Sequence, residues 1–276
     1  MRKIWLITGI SSGLGKAIAQ AVMEKGDFVI GTFRKASQVE EFNANFQNKG
    51  FSYQLDVTQP DQIRKMTAAI RAMFHRVDVL VNNAGVGMVG AVEETSMDEV
   101  RAIFEANFFG TLKLTQEVLP LMRAQRSGHI VQISSHGGVK AFAGFGIYNA
   151  SKFAVEGFSE ALAQEVAPLG IKVTIVEPGP FRTRFAGDSL GTAVRVIEDY
   201  NETAGAFRMK LKGVNGKQEG DPQKAAQAIY RLVDSEVPPL RLPLGKTALL
   251  TIGMKIDSVK ADLEAARTIA EGAIYS

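Results

Sequence analysis

Residues 3–25 read KIWLITGISSGLGKAIAQAVMEK, and this stretch decides the fold. Residues 3–8 form a short apolar run with isoleucines at both ends, the pattern of a strand buried on both faces. Thr8-Gly9-Ile10-Ser11-Ser12-Gly13-Leu14-Gly15 breaks that run, and from Lys16 to Lys25 apolar residues return at helical spacing. A strand, a glycine-rich turn and a helix make an anion site for a physical reason. Glycines let the backbone close on a phosphate, and the unpaired amides of the first helical turn point at it. Three other readings compete. Gly9-Ile10-Ser11-Ser12-Gly13 fits the G-x-S-x-G nucleophile elbow, which requires an acid and then a histidine downstream; the last histidine is His136, so the C-terminal half has none. Gly15-Lys16 is like the end of a Walker loop, but Ile10 replaces its first glycine and Ala17 its Ser or Thr. The third is a tight turn without a ligand.

Working outward, the next strand is Phe28–Phe33, followed by Arg34 and Lys35. A site that prefers NAD places an acid about 20 residues past the glycines, to bond the ribose 2′-hydroxyl. Here two cations stand in that place, which suits a 2′-phosphate and hence NADP(H) over NAD(H); the alternative is a solvated turn. A polar, Asn-rich helical piece (36–49) leads to a strand at Phe51–Asp56, with Asp56-Val57 at its C-terminal end. Pro60–Phe74 has helical spacing. Val77–Val81 is a continuous apolar strand running into Asn82-Asn83-Ala84-Gly85, where an Asn pair signals side-chain bonding between neighbouring strand ends. Met97–Met122 reads as one long helix with Asn107 set in its apolar stripe.

Ile130–Ile133 is another buried strand, ending in Ser134 and Ser135. Beyond it, Tyr148 and Lys152 open a helix that runs to about Ala167. Lys172–Val176 precedes Glu177-Pro178-Gly179-Pro180-Phe181-Arg182-Thr183. Residues 184–220 carry weak periodicity and are expected to be a flexible substrate flap. Asp221-Pro222 starts a helix to about Val233. Leu240–Leu244 is a last short strand, and Lys246 to Ala270 an amphipathic terminal helix. Strands alternating with helices, without repeats or linkers, predict one α/β domain over residues 1–276: a doubly wound parallel sheet of about seven strands, with ligands at the strands' carboxyl ends.

Composition narrows the function. With 46% hydrophobic and 22% charged residues, the chain has the balance of a soluble globular protein. The net charge of +3 is small and spread out, so no nucleic-acid partner is expected. The chain has no cysteine, which excludes disulfides, thiolate catalysis and Cys-ligated metal and fits a cytoplasmic location. His75, His129 and His136 match no metal spacing. No segment approaches the roughly 20 apolar residues of a membrane span, so no membrane partner is expected.

Tyr148 and Lys152 stand four apart, hence one above the other on a helix face. A free phenol, with a pKa of about 10, is a poor acid or base near neutrality. An adjacent ammonium is expected to lower that value and make the tyrosine useful in acid-base chemistry. Together these motifs resemble those of the short-chain dehydrogenase/reductase family, closely over residues 3–185 and in outline beyond. Its T-G-x-x-x-G-x-G is matched by Thr8, Gly9, Gly13 and Gly15, with Ser11, Ser12 and Leu14 between them. Asp56-Val57 is similar to its adenine-site pair, Asn82-Asn83-Ala84-Gly85 to its N-N-A-G, and Pro178, Gly179 and Thr183 to its P-G-x-x-x-T.

The resemblance implies a tetrad of Asn107, Ser135, Tyr148 and Lys152; Ser135 is chosen over Ser134 because the family's serine lies thirteen residues before its tyrosine. It further implies an NADP(H)-dependent oxidoreductase acting on a carbonyl or secondary alcohol. Ser135 and Tyr148 would hold the substrate oxygen and Tyr148 would move the proton. Lys152 would bond the nicotinamide ribose, and Asn107 would anchor a water leading to bulk. Phe142, Phe145, Phe181 and Phe185 lean towards an apolar substrate. A non-catalytic NADP-binding regulator is the alternative. Pairing into a homodimer or homotetramer is expected through the Met97–Met122 and Tyr148–Ala167 helices.

Overall fold

Short runs of β-branched and aromatic residues build the central sheet of this computed structural model, which describes residues 2–187, 190–214 and 216–275. The strands are β1 (Ile4–Ile7), β2 (Phe28–Phe33), β3 (Gly50–Gln54), β4 (Val79–Asn82), β5 (Gly87–Val89), β6 (Gly128–Ile133), β7 (Ile171–Pro178), β8 (Leu190–Thr192) and β9 (Arg241–Leu244). Seven of them form one parallel sheet in the order β3-β2-β1-β4-β6-β7-β9, and β5 pairs with β8 separately. Strand order reverses on either side of β1, whose Ile7 faces Gly31 of β2 and Val81 of β4. A sheet wound outward from such a switch point leaves a crevice at its carboxyl edge. Every motif singled out above ends there.

The helices are α1 (Gly13–Glu24), α2 (Ala36–Asn45), α3 (Pro60–Phe74), α4 (Met97–Phe104), α5 (Gly110–Gln125), α6 (Gly146–Val166), α7 (Ala206–Val214), α8 (Pro222–Val233) and α9 (Lys246–Glu271). Alternate strand residues feed opposite layers. Trp5, Ile7, Val29, Val81 and Val131 pack against Ile18, Val22, Ile229 and Leu232 of α1 and α8. Leu6, Ile30, Leu80 and Ile130 meet Ile63, Ile70, Leu114, Met122 and Leu162 of α3, α5 and α6. Each fully buried large side chain stabilises the fold by about 1.5–3 kcal/mol. Asp221 caps α8 as expected, its carboxylate accepting from the Gln223 amide at 2.8 Å.

Two expectations need correction, and two features were not foreseen. The stretch Met97–Met122 is two helices joined by a π-helical turn, Glu105–Phe109, because the extra residue turns Asn107 inward to bond another segment. The β5–β8 pair was not foreseen, since three-residue strands carry too little alternation to read. Within 184–220 the chain forms β8 and α7 as well as short turns, too short to stand out from the irregular stretch around them; Asp188, Ser189 and Asn215 lie outside the described residues. Finally, α9 buries only Ala248 and Ile252, so most of its apolar stripe packs on nothing.

Candidate active site

β6 delivers two serines to the crevice, and they part company. Ser135 caps the tight turn at His136–Gly138, its Oγ accepting from the Gly137 amide at 3.0 Å, and a side chain at Gly137 would meet both this Oγ and the Tyr148 ring. Ser134 lies on the other side, beside Glu156. Tyr148 and Lys152 sit on successive turns of α6, both buried. The Lys152 ammonium donates to the Ile133 carbonyl at 2.8 Å, which ties it to the strand end that carries the serines. Asn107 comes close from the π turn, and a side chain at Gly85 would meet both its Oδ1 and the Lys152 Nζ. Its amide is occupied: Oδ1 accepts from Val86 N at 2.8 Å, and Nδ2 donates to Val86 O at 2.9 Å and Ser151 Oγ at 3.0 Å.

One residue of this constellation escaped the sequence reading. Asn149 donates to Gly137 O at 2.8 Å and accepts from Phe142 N at 2.9 Å, so it holds the loop between Ser135 and Tyr148 in place. A buried amide directly after the tyrosine was the available signal.

Burial dominates the electrostatics. It pushes Tyr148 up to about 12, with the Ser135 bond opposing it. It also pushes Lys152 down to about 8, partly offset by Glu156. The expectation that Lys152 would lower the tyrosine is therefore not met in this state: desolvating the phenolate dominates, and Ser135 is what opposes it. At neutral pH Tyr148 is a phenol with a proton to give.

The glycine turn fits a dinucleotide. Gly13 has φ +59°, and a Cβ there would lie 3.2 Å from Thr183, so the turn and the Pro178–Thr183 segment meet face to face. A Cβ on Gly15 would collide with Asn83 Nδ2 and Gly9 O. Thr8 Oγ1 accepts from the Asn83 and Ala84 amides at 2.9 Å each, and Asn83 Nδ2 donates to Thr8 O at 2.8 Å. Asn82 bonds Thr115 and Gln132, so the Asn pair does bridge strand ends. Ser12 makes no side-chain cap on α1, which leaves the first amides of that helix unpaired.

Ser11 is exposed, and Leu14 leans on the core. Asp56 accepts from Thr58 N and Oγ1, and the Val57 carbonyl abuts Gly110. Gly179 N donates to Leu244 O at 2.9 Å, pinning Pro178-Gly179 to β9. Thr183 Oγ1 accepts from Phe185 N. At the end of β2, Phe33 is buried against Phe42, whereas Arg34 and Lys35 are exposed with no side-chain partner among the described residues. His129 and His136 bond Thr174 and Thr251, and His75 ends α3, so none serves Ser11 as a base.

An aromatic wall stands over Tyr148. Phe145 and Phe185 pack on its ring at 4.6 and 5.4 Å between centroids, and Phe207 of α7 packs on Phe145 at 5.1 Å. Phe142, Leu190 and Leu211 complete the cluster. Phe181 does not join it; it packs in the α1–α8 layer. The 184–220 stretch is latched by Glu94, which accepts from Ile197 N and pairs with Arg208 at 2.9 Å. Burial would raise the Glu94 carboxyl, but these donors hold it below the usual range.

Behind Lys152 lies a second unforeseen cluster. Arg241 of β9 donates to Glu156 at 3.0 Å and to Glu160, and forms an ion pair with Glu177 at 2.9 Å. Three carboxylates share one cation, and Glu177 is completely buried. Burial, then Glu156, push Glu177 up to about 7 from 4.5. Between those values the native state keeps a proton that the unfolded chain has released, so this carboxyl makes stability fall as pH rises across the window. Glu177→Gln is expected to flatten the decline of the thermal midpoint between about pH 5 and pH 7. Equal slopes in variant and wild type would show that Glu177 is ionised throughout.

The short chain dehydrogenase family profile matches residues 3–192. The chain belongs to the short-chain dehydrogenase/reductase family. This oxidoreductase is 41% identical over 265 residues to oxidoreductase BOA17 of Botryotinia fuckeliana, covering 96% of each chain. It is 42% identical to a 3-ketodihydrosphingosine reductase of Bacteroides thetaiotaomicron, over 88% of each. The crystal structure of a short-chain dehydrogenase from Streptomyces avermitilis superposes with TM-score 0.94 at 44% identity, covering 100% of both chains. ElxO, solved with NADP bound, matches 90% of this dehydrogenase/reductase and 99% of its own chain with TM-score 0.75 at 27% identity.

Proposed function

We propose that this oxidoreductase reduces the carbonyl of a small apolar substrate with NADPH, Tyr148 giving the proton. One observation carries the reading: the Ser135 and Tyr148 side chains converge at the buried floor of an aromatic cluster, where a side chain at Gly137 would meet both, with Lys152 one helical turn away. When bound, the nicotinamide supplies the hydride. Ser135 and Tyr148 polarise the substrate oxygen, and the Tyr148 hydroxyl delivers its proton as negative charge develops there. Lys152 stabilises the phenolate that remains and holds the ribose. Asn107 positions α6 through Ser151 and fixes Val86, a structural part it plays beside the water-anchoring role expected of it. The Phe142, Phe145, Phe185 and Phe207 rings exclude water and favour an apolar ketone. The Bacteroides relative, named for a keto compound, supports the same class.

Gly9, Gly13 and Gly15 with the free amides of α1 suit a pyrophosphate. Arg34 and Lys35 suit a 2′-phosphate, Arg34 through a planar fork. NADPH is expected to bind about 10- to 150-fold more tightly than NADH, the worth of a charge-assisted bond of about 1.5–3 kcal/mol. Arg34→Ala should erase most of that margin, leave NADH affinity unchanged and weaken the salt dependence. Calorimetric dissociation constants decide it: equal values for both cofactors in the wild type would make Arg34 and Lys35 a solvated turn.

A further inference from the structure

α9 leaves the body of the protein after two turns. Ala248 and Ile252 are buried, Thr251 bonds His136, and from Ile256 to Tyr275 every residue is exposed. The part beyond Lys255 is about 24 Å long at 1.5 Å per residue. A helix of that size is marginal alone in water, so packing must supply its stability.

The apolar positions are ordered. Leu249, Ile252, Ile256, Val259, Leu263, Ala266 and Ala270 alternate steps of three and four, the 3.5-residue period of a two-helix seam. At Ile252 the stripe rests on the chain's own body. Past it, Ile256 is 60% exposed and Leu263 68%. The same face that packs at the base continues outward with nothing beneath it.

Charge selects what covers it. Lys246, Lys255, Lys260 and Arg267 balance Asp257, Asp262, Glu264 and Glu271, so the helix has no net pull towards an anionic lipid surface. Flanking the seam, Lys255 and Asp262 lie on one side and Lys260 and Arg267 on the other. Two such helices side by side in parallel would set Lys255 against Lys260, a repulsion that Asp262 against Arg267 only offsets. Set antiparallel about a point near Asp257 and Ser258, they bring Lys255 against Asp262 twice, and Ile256 against Val259. Lys246 and Arg267 then approach at the ends, where Lys246 already has Glu219 nearby and Arg267 has Glu264 and Glu271.

We propose that the exposed arm of α9 is a self-association surface whose occupant is the α9 arm of a second copy of this chain, packed antiparallel with Ile256 and Val259 at its centre. The tip of each arm, Leu263 and Ala266, then meets the body of the other copy at the base of its α9, beside the buried Ile252. Because Thr251 and Lys140–Met254 join that base to the loop after Ser135, the contact lies next to the candidate active site.

The chain has no cysteine, so single introduced thiols report cleanly. Val259→Cys lies close to the two-fold point and is expected to oxidise to a covalent dimer. Leu249→Cys is expected not to, being on the order of 25 Å from its counterpart. Ile256→Asp with Leu263→Asp places four carboxylates in one apolar seam. It is expected to weaken self-association at least about 100-fold and halve the mass seen by light scattering, with the thermal midpoint retained. Three results would overturn the proposal: an unchanged mass in that double variant, cross-linking at 249 and not at 259, or wild-type protein that sediments with phosphatidylcholine or phosphatidylserine vesicles through this helix without associating with itself.

Discussion

Tyr148→Phe is expected to lower kcat by at least about 10²-fold, the range for removing a general acid. The ring stays packed against Phe145 and Phe185, so fold and cofactor affinity should stay near wild type. What is lost is the phenol hydroxyl beside Ser135, which burial keeps protonated at neutral pH. Steady-state kinetics beside NADPH titration separates the two effects. Near-normal turnover would remove Tyr148 from the mechanism, and lost cofactor binding would make the residue a scaffold.

Arg241→Ala is expected to cost about 3–5 kcal/mol of stability, the usual consequence of stripping the partner from a buried ionic group. Glu177 is completely buried and Glu156 nearly so, and Arg241 bonds both. Removing it leaves carboxylates that must take up protons to stay inside. For a chain of this size the thermal midpoint should drop by on the order of 10 °C. Arg241→Lys keeps the charge but not the fork and should fall between. Equilibrium urea unfolding measures the loss, and a value below about 1 kcal/mol would reduce the cluster to a surface pair.

Legibility followed sequence distance. The glycine turn, the Asn pair and the Tyr148–Lys152 spacing are each written within a few consecutive residues, and the parallel order followed from strand–helix alternation. Arg241 meets Glu177 across the join of β7 and β9, and nothing local announces that pairing. Phe207 and Leu211 reach the aromatic cluster from α7, a short helix inside a stretch that as a whole read as flap. The tyrosine's shift went the other way from the local argument, because burial is set by the whole fold rather than by a neighbour four residues on. Likewise, periodicity announced α9 as amphipathic but said nothing of what covers it.

The central claim is hydride transfer from NADPH to an apolar ketone with Tyr148 as acid. The most direct test follows NADPH consumption and alcohol formation by the wild-type enzyme across a panel of apolar ketones and aldehydes of increasing chain length. One NADPH consumed per alcohol formed, with Tyr148→Phe inert, is the expected result. Tight NADPH binding with no turnover of any carbonyl in the panel would contradict it and leave a nucleotide-binding protein that does no chemistry.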